Sequence, residues 1–564
     1  MKHYNKLLTD EFIQLDINNP LNEHPFPQFK RESYFSLNGK WSYKISKNKN
    51  DFSDINEEII VPYAVESFAS SVNKRINKGD YIIYKKHFSL PINFIKENTF
   101  INLLGVDQKF TLIINDIVFN EITPLALPTK INISKAIKQD NEIIIVVQDD
   151  LDYKLPKGKQ SKKPKGIFYT PFSGIYYPIY LESVDNNYID SINIKTTVNT
   201  LYLDINSTAS HFNVIIKENN TTIYNKKEDS NNIIIKFDNP IYWDIDNPFL
   251  YDLEISTESD KIKSYFGLRE FKLTNDTFYL NNKPIFLNGL LSQGYYPEGI
   301  VTPSSYSTIK KDVLLMKELG FNILREHIKI EIPYFYYLCD KYGIIVLQDF
   351  INFGKYNFIK DTALPTIGFQ KISDKKMNND KILRSNFYEC GERLINYLYN
   401  HPCIIGYTIF NEGWGQFDSD NVYNYFKSKY PDLVFDSTSG WYHQKNSDLK
   451  SYHWYFNNLK KLKKQKSKIF LSEFGALCFK VKKHCYGNDK VFGYTYFDSK
   501  EALEKEYIKL FEEKIIPYKD KLNGIIYTQL SDIEEEDNGI ITYDRKIIKI
   551  SPEIIKNINN KLNN

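Results

Sequence analysis

Short runs of alternating apolar and polar residues fill the first third of the chain, from about residue 30 to residue 185. Turn-forming residues separate the runs, and a period of two places successive side chains on opposite faces of a strand. The pattern therefore predicts an all-β sandwich of the jelly-roll type. The runs that show it best are Lys40–Ile45, Tyr81–Phe88, Phe100–Leu104, Phe110–Ile114 and Glu142–Gln148.

A second group of short strands follows, from about residue 186 to residue 273, with Asn and Asp in the turns. A length of roughly ninety residues is typical of an immunoglobulin-like β-sandwich. The best runs are Ile192–Thr196, Leu201–Ile205, Phe212–Lys217, Ile233–Phe237, Leu250–Thr257 and Ser264–Phe266.

From about residue 274 the period changes, and apolar strands alternate with amphipathic helices, as in a parallel α/β domain. The predicted strands are Ile285–Gln293, Ile323–Lys329, Ile344–Phe350, Ile404–Glu412, Leu433–Ser437, Ser451–Tyr455, Ile469–Gly475 and Gly524–Ser531. The predicted helices include Tyr306–Leu319, Ile332–Tyr342, Lys381–Tyr399 and Ser499–Ile515. Eight strand–helix units in roughly 290 residues predict a (β/α)8 TIM barrel. A doubly wound sheet is the alternative, but no glycine-rich nucleotide motif follows any strand.

These patterns predict three domains, with boundaries at residues 1–185, 186–273 and 274–564. The 73 basic and 70 acidic side chains nearly balance, so composition gives no reason to expect nucleic acid or an anionic membrane as partner. Five scattered cysteines do not suggest a disulfide framework. The segment Met1–Asp10 lacks the apolar core of a signal peptide, and no run of about eighteen apolar residues is present, so we expect a cytoplasmic protein.

The clearest candidates for chemistry are two glutamates at the C-terminal ends of buried strands. Glu412 ends the fourth predicted strand and Glu473 lies near the end of the seventh, on the opposite side of a closed barrel. The C-terminal ends of the strands form the active face of such a barrel. Cleavage of a glycosidic bond needs one carboxylic acid to protonate the leaving oxygen and one carboxylate to meet the developing cation. Either glutamate alone is better explained as a solvated or Lys-paired side chain, whereas the pair favours this chemistry.

Motifs in the same order along the chain resemble glycoside hydrolase family 2, which includes β-galactosidases, β-glucuronidases and β-mannosidases. They are Leu37–Trp41, Val61–Ser67, Gly166–Thr170, Gly267–Arg269, Phe286–Gly289, Leu324–His327, Cys339–Gly343, Asn411–Glu412 and Ser472–Gly475. The resemblance covers nearly the whole chain, and it implies that the first domain is similar to the sugar-binding domain of the family. We expect no cofactor.

The resemblance also implies roles for individual residues. Glu412 would be the general acid/base and Glu473 the nucleophile of a retaining mechanism, while Asn411 would bind the 2-hydroxyl of the sugar. Arg325 is a candidate for keeping Glu473 ionised, and equally for a structural ion pair. Further strand-end candidates for substrate contact, each of which could equally pack behind the site, are His327, Asp349, Trp441, Tyr442, His453 and Tyr455. Tyr455 resembles the family tyrosine that donates to the nucleophile, with Tyr442 as the alternative.

Two stretches depart from the family pattern. Leu291–Pro297 stands where many members have a His-rich segment. Asp532–Ile540 stands where β-glucuronidases have an Asn-x-Lys pair for the sugar carboxylate, but it contains no Lys, and its acidic run would repel a uronate. Within that run Glu535 and Glu536 are candidate acceptors for sugar hydroxyls, although such a run is usually a solvated loop.

Two further segments contain residue types that occur in phosphate-binding loops or metal sites. The basic loop Gly158–Gly166 does not fit a phosphate-binding P-loop, and we predict that it is solvated or flanks the substrate. His484 and Cys485 follow Cys478 without a second ligand pair at suitable spacing, so no metal site is expected there.

The sequence therefore predicts a retaining exo-β-glycosidase for a neutral sugar, with β-galactosidase as the first choice and β-mannosidase or β-glucuronidase as alternatives. A catalytically silent carbohydrate-binding protein is the alternative from another class, and transglycosylation is a variant of the same chemistry. The expected partner is an oligosaccharide or glycoside substrate. The sequence leaves open the sugar linkage and whether the chain forms a homo-oligomer.

Overall fold

Two antiparallel sheets packed face to face form the first unit of the computed structural model, which describes residues 7–366, 369, 372–455, 467–487 and 495–563. The strands of the larger sheet, in spatial order, are Glu57–Val61, Gly39–Ser46, Tyr81–Ser89, Asp140–Gln148, Lys109–Ile114 and Ile117–Val118. Those of the smaller sheet are Phe35–Ser36, Gly174–Val184, Asn98–Asp107 and Thr129–Asn132. Alternate residues of Lys109–Ile114 are buried, so the predicted period of two points one face of this strand into the core.

A second sandwich follows. Its larger sheet contains Lys30–Arg31, Lys261–Phe266, Tyr251–Ser256, Phe212–Glu218 and Thr221–Glu228, and its smaller sheet contains Ile189–Thr196, Thr200–Ser207 and Asn232–Lys236. The buried guanidinium of Arg31 contacts Asp260 at 2.9 Å and Glu182 of the first unit at 3.2 Å. The short edge strand from the start of the chain therefore joins the two sandwiches.

Eight parallel strands form the third unit. In chain order they are Leu287–Ser292, Ile323–Glu326, Ile345–Asp349, Ile404–Asn411, Val434–Ser439, Ser451–Trp454, Ile469–Gly475 and Leu522–Thr528. Hydrogen bonding is continuous around the barrel except between Val434–Ser439 and Ser451–Trp454, for which the described residues show no pairing. The barrel is thus nearly closed, and the predicted fold class is confirmed.

Helices surround the barrel. They are Tyr306–Glu318, Pro333–Tyr342, Leu364–Thr366, Lys381–Leu398, Ser419–Lys429, Lys500–Lys509 and Pro552–Asn563, with π-helical turns at Ile359–Ala363 and Leu510–Ile515 and 3₁₀ turns at Glu11–Gln14, Pro27–Phe29 and Ile516–Lys521. Side chains of Ser305, Asp380 and Ser499 accept hydrogen bonds from the first-turn amides of the helices that follow them. None of the described helices is both long and apolar enough to cross a lipid bilayer.

Small sheets complete the fold. One contains Phe271–Thr274, Thr277–Leu280 and Lys283–Ile285, around the predicted start of the barrel domain, and the other pairs Leu477–Phe479 with Thr495–Phe497. The bounds of the three domains stay predictions. Residues 1–6, which belong to the segment interpreted as lacking a signal peptide, lie outside the described residues.

Candidate active site

Glu412 and Glu473 face one another at the C-terminal end of the barrel. One side-chain oxygen of each lies within 4.8 Å of the other and of a ring nitrogen of His453. Glu473 is 5% exposed, and the side chain of Glu412 is 14% exposed. The two carboxyl groups thus lie close together, and each keeps some contact with solvent.

The backbone at Glu412 is strained. The fourth barrel strand ends at Asn411, one residue earlier than predicted, and Glu412 follows in the left-handed region with φ of 51°. Its amide donates to the carbonyl of Ser439 at 2.9 Å. Gly413 has φ of 75°, and a Cβ there would lie 2.5 Å from the ring of Tyr442. This turn aims the Glu412 side chain across the barrel mouth, and such strain is typical of functional sites.

Glu473 is held in its ionised form. Its Oε1 lies 3.0 Å from a guanidinium nitrogen of Arg325, and its Oε2 accepts a hydrogen bond of 2.6 Å from Tyr455. Burial raises the pKa of this carboxyl, but the charges of His453 and Arg325 and the Tyr455 hydroxyl outweigh burial and lower the pKa to about 2. Glu473 therefore carries a negative charge at neutral pH.

The imidazole of His453 contacts both glutamates. Its Nδ1 lies 2.8 Å from Glu412 Oε1, and its Nε2 lies 3.3 Å from Glu473 Oε1 and 3.0 Å from the hydroxyl of Ser439. Ser439 donates its own proton to Ser472, so it accepts from His453. His453 lies on the strand Ser451–Trp454, Tyr455 follows directly after this strand, and both side chains contact Glu473.

Arg325 is fully buried beneath the two glutamates. It forms a two-point ion pair with Asp349, with both distances 2.9 Å, and donates to Asn411 Oδ1 at 2.8 Å. This contact turns the amide nitrogen of Asn411 towards the open side of the site, where it has no partner among the described residues. Asn411 can therefore donate to a ligand hydroxyl.

His327 completes this network. Its Nδ1 lies 2.7 Å from Asp349, and burial, helped by the nearby charge of Lys159, lowers the pKa of His327 to about 4. A neutral imidazole that donates through Nδ1 leaves Nε2 as an acceptor. His327 and Asn411 thus present one acceptor and one donor to the site.

Two of the predicted site residues lie at the edge. The hydroxyl of Tyr442 donates to the carbonyl of Lys360 and does not contact Glu473, so Tyr455 is the tyrosine beside that carboxylate. Trp441 packs against His453 with ring centroids 5.5 Å apart. The sequence predicts both tyrosines as site residues because both follow strand ends. Only the three-dimensional structure shows which of them contacts Glu473.

The acidic run after the eighth strand contacts the basic loop of the first unit. Glu535 accepts from the amide of Gly166 and Glu534 from the amide of Thr170, each at 2.8 Å, and Glu536 accepts from the hydroxyl of Tyr169. We call this contact, between residues 166–170 and 534–536, the loop clasp. The three carboxylates hold a loop that crosses the barrel mouth.

Two groups of described residues have spacing suited to metal ligands. In Asp340, His401 and Cys403, the carboxylate contacts His401 Nδ1 at 2.6 Å and the hydroxyl of Tyr265 at 2.8 Å, and burial raises the pKa of the thiol. In Glu412, His453 and Glu473, Arg325 and Tyr455 already contact both oxygens of Glu473. Contacts with other protein groups therefore account for both groups of residues.

His484, part of the stretch in which no metal was expected, contacts Asp544 at 2.7 Å.

Comparisons with known proteins identify the family of the chain. The family model of glycosyl hydrolases family 2 matches residues 183–269, and that of the family 2 TIM barrel domain matches residues 271–549. A β-galactosidase of Thermoanaerobacter pseudethanolicus is 26% identical over 63% of this chain, and one of Staphylococcus xylosus is 28% identical over 59%. A β-glucuronidase of Streptococcus agalactiae is 23% identical over 68%.

The chain spans 48%, 33% and 67% of the lengths of these three relatives. Among solved structures, a β-D-glucuronidase from Dictyoglomus thermophilum has a TM-score of 0.74 at 20% identity, covering 95% of this chain and 99% of its own. A β-glucuronidase from Lactobacillus rhamnosus has a TM-score of 0.76 at 17% identity, covering 94% and 98%. At such identities the likeness concerns the fold.

Proposed function

Because this chain belongs to glycosyl hydrolase family 2 and is a glycoside hydrolase, we propose that it is a retaining exo-β-glycosidase that acts by double displacement. The observation that carries the proposal is the approach of the Glu412 and Glu473 oxygens to within 4.8 Å. Retaining enzymes place their carboxyl groups about 5 to 5.5 Å apart, whereas inverting enzymes need a wider gap for water. The loop clasp covers part of the barrel mouth, which supports a pocket for a terminal sugar.

In the first step, Glu412 gives a proton to the glycosidic oxygen while Glu473 attacks the anomeric carbon. The bond to the leaving group breaks and a glycosyl ester of Glu473 forms. Asn411 donates to the 2-hydroxyl of the sugar, an interaction that strengthens in the transition state. In the second step Glu412 takes a proton from water, the oxygen of which attacks the anomeric carbon and releases Glu473.

The direct test is the stereochemistry of the first product. Proton NMR of the reaction with a p-nitrophenyl β-glycoside should show the β-anomer first, followed by slow mutarotation. An α-anomer as the first product would overturn the retaining mechanism. Glu473→Gln should lose turnover, and near-normal activity of this variant would remove the assignment of the nucleophile.

The sugar is proposed separately from the mechanism. Two of the relatives named above are β-galactosidases, which supports the first choice made from the sequence, and the third is a β-glucuronidase. Hydrolysis of p-nitrophenyl β-galactoside, β-mannoside and β-glucuronide would distinguish these specificities. Sugar binding without release of p-nitrophenol from any of them would favour the carbohydrate-binding alternative.

A further inference from the structure

The side chain of Lys159 enters the candidate active site from the first unit. Amides of Lys157 and Gly158 donate to the carbonyl of Asn352 at 2.9 and 3.3 Å, and the Lys159 carbonyl accepts from Tyr169 at 2.9 Å. Together with the loop clasp, these bonds fix both ends of the loop. The segment predicted to be solvated or to flank the substrate thus lies over the barrel mouth, and Lys159 is only 8% exposed.

The ammonium of Lys159 lies between two aromatic rings. Its Nζ is 5.5 Å from the ring centroid of Tyr169 and 5.7 Å from that of Trp414. Trp414 follows Glu412 by two residues, and Tyr169 donates to Glu536. The positive charge of Lys159 also acts to lower the pKa of His327 and the pKa of Glu536. The cation therefore lies close to residues that border the two glutamates, Trp414 and His327.

Lys159 differs from a buried lysine nearby in having no ionic partner. Within the described part of the chain, no carboxylate oxygen lies within 4.0 Å of its Nζ, and the ammonium makes no hydrogen bond. Lys329, by contrast, contacts Glu331 at 2.7 Å and the carbonyl of Val301 at 3.0 Å. A nearly buried ammonium without an anion costs free energy that two aromatic faces offset only in part. A bound anion would supply the missing partner.

We propose that Lys159 binds an anionic substituent on the sugar, either the carboxylate of a uronate or a sulfate ester, and so selects the substrate class. The proposal rests on the proposed glycosidase function, and it favours an anionic sugar over the neutral sugar expected from the sequence. It assigns recognition of the anion to a loop of the N-terminal sandwich, since the barrel stretch Asp532–Ile540 contains no Lys.

The acidic run is a weaker obstacle to an anionic sugar than its sequence suggests. Glu534 and Glu535 accept hydrogen bonds from the backbone of the opposing loop. Burial raises the pKa of Glu536, although the charge of Lys159 acts in the opposite direction. The Glu536 carboxyl accepts a hydrogen bond from the Tyr169 hydroxyl. His327, with a pKa of about 4, is neutral. Among the described residues beside these two aromatic rings, Lys159 carries the charge that has no protein partner.

The test compares Lys159→Met with Lys163→Met, which removes an exposed lysine of the same loop, and with Lys159→Arg, which keeps the charge. The substrates are the p-nitrophenyl β-glycosides of glucuronate, galacturonate, 6-sulfogalactose, galactose and glucose. We expect the wild type to prefer one of the anionic sugars. Lys159→Met should lower the ratio of anionic to neutral kcat/KM by about 10- to 150-fold, the range for a charged hydrogen bond. Lys163→Met should keep the wild-type ratio, and Lys159→Arg should keep most of it.

The substrate panel also distinguishes uronates from sulfate esters, because Lys159→Met should lower kcat/KM for only one of these two types of substrate. Calorimetric titration with free D-glucuronate, galactose 6-sulfate and D-galactose measures recognition without turnover. If the enzyme is inactive on every glycoside but binds an anionic sugar through Lys159, the proposed function fails and this inference stands. Cleavage of neutral glycosides alone, or an unchanged ratio in folded Lys159→Met, would overturn the inference and leave the glycosidase intact.

Discussion

The imidazole nitrogen Nδ1 of His453 lies 2.8 Å from Oε1 of Glu412. The other ring nitrogen faces Glu473, so a single side chain contacts both carboxyl groups of the site. The charge of His453 lowers the pKa of Glu473, and the contact with Nδ1 fixes the orientation of Glu412. His453 is therefore a positioning residue whose loss should change the pH dependence as well as the rate.

His453→Ala should lower kcat by about 10²-fold, because a misplaced carboxyl acid loses its alignment with the leaving oxygen. It should also move the acidic limb of the kcat/KM profile to higher pH, since without the charge effect of His453 the pKa of Glu473 rises from about 2 towards its ordinary value. Trp441→Phe alters a neighbour of the same ring without removing charge and should leave that limb in place. An acidic limb that does not move in His453→Ala would contradict this role.

Tyr455→Phe should reduce kcat by about 10- to 150-fold, because it removes a hydrogen bond to an ionised group. Tyr442→Phe is the matched control, since the Tyr442 hydroxyl donates to the carbonyl of Lys360. Steady-state kinetics on one aryl glycoside compare the two variants. Equal losses would mean that Tyr455 has no special relation to Glu473.

Glu412→Ala should lower kcat/KM for alkyl glycosides by about 10²- to 10⁴-fold, because their leaving oxygen needs a proton. For 2,4-dinitrophenyl glycosides, which depart without protonation, the loss in kcat/KM should be much smaller. Azide should then restore turnover and give a β-glycosyl azide. A uniform loss for both leaving groups would argue against Glu412 as the acid.

Arg325→Met should lower the free energy of unfolding by about 3–5 kcal/mol, because Asp349 and Glu473 remain buried without their cation. Urea unfolding measures the change. In the double variant Arg325→Met/Asp349→Asn the loss should be smaller than the sum of the two single losses. Additive losses would show that the ion pair is not coupled.

Glu66 should make the protein less stable as pH rises from about 4.5 to 8. Burial raises the pKa of this carboxyl to about 8, against hydrogen bonds from Ser173 that favour the ionised form. Below pH 4.5 both folded and unfolded chains hold the proton; above it only the unfolded chain releases it, and stability falls by about 1.4 kcal/mol per pH unit. Glu66→Gln should flatten this decline, measured by urea unfolding at pH 5 and pH 8. Glu58→Gln, at an exposed position, should behave like the wild type.

Much of the barrel was predictable because its strands are apolar runs with a clear period. Ile469–Gly475 has the bounds expected from the sequence, and the other strands differ by one to three residues at one or both ends. Glu473 and Arg325 lie on such strands, so their approach follows from barrel closure. Strand ends are less certain, as at Glu412, where the left-handed turn starts one residue earlier than predicted.

The surroundings of Lys159 were not predictable by the same means. The loop 158–166 has an ordinary basic composition, and its position depends on hydrogen bonds to residues more than 360 positions away. The local pattern of apolar and polar residues does not indicate contacts with residues so far away in the sequence. The choice between Tyr442 and Tyr455 also depends on tertiary structure, because both tyrosines follow strand ends.

Because of the loop clasp, the barrel mouth is formed by segments that lie far apart in the sequence. Exchanging the first sandwich between related enzymes would remodel the rim above an unaltered pair of glutamates. Variation in this module can therefore diversify what is admitted to the cavity without disturbing the machinery that cleaves it.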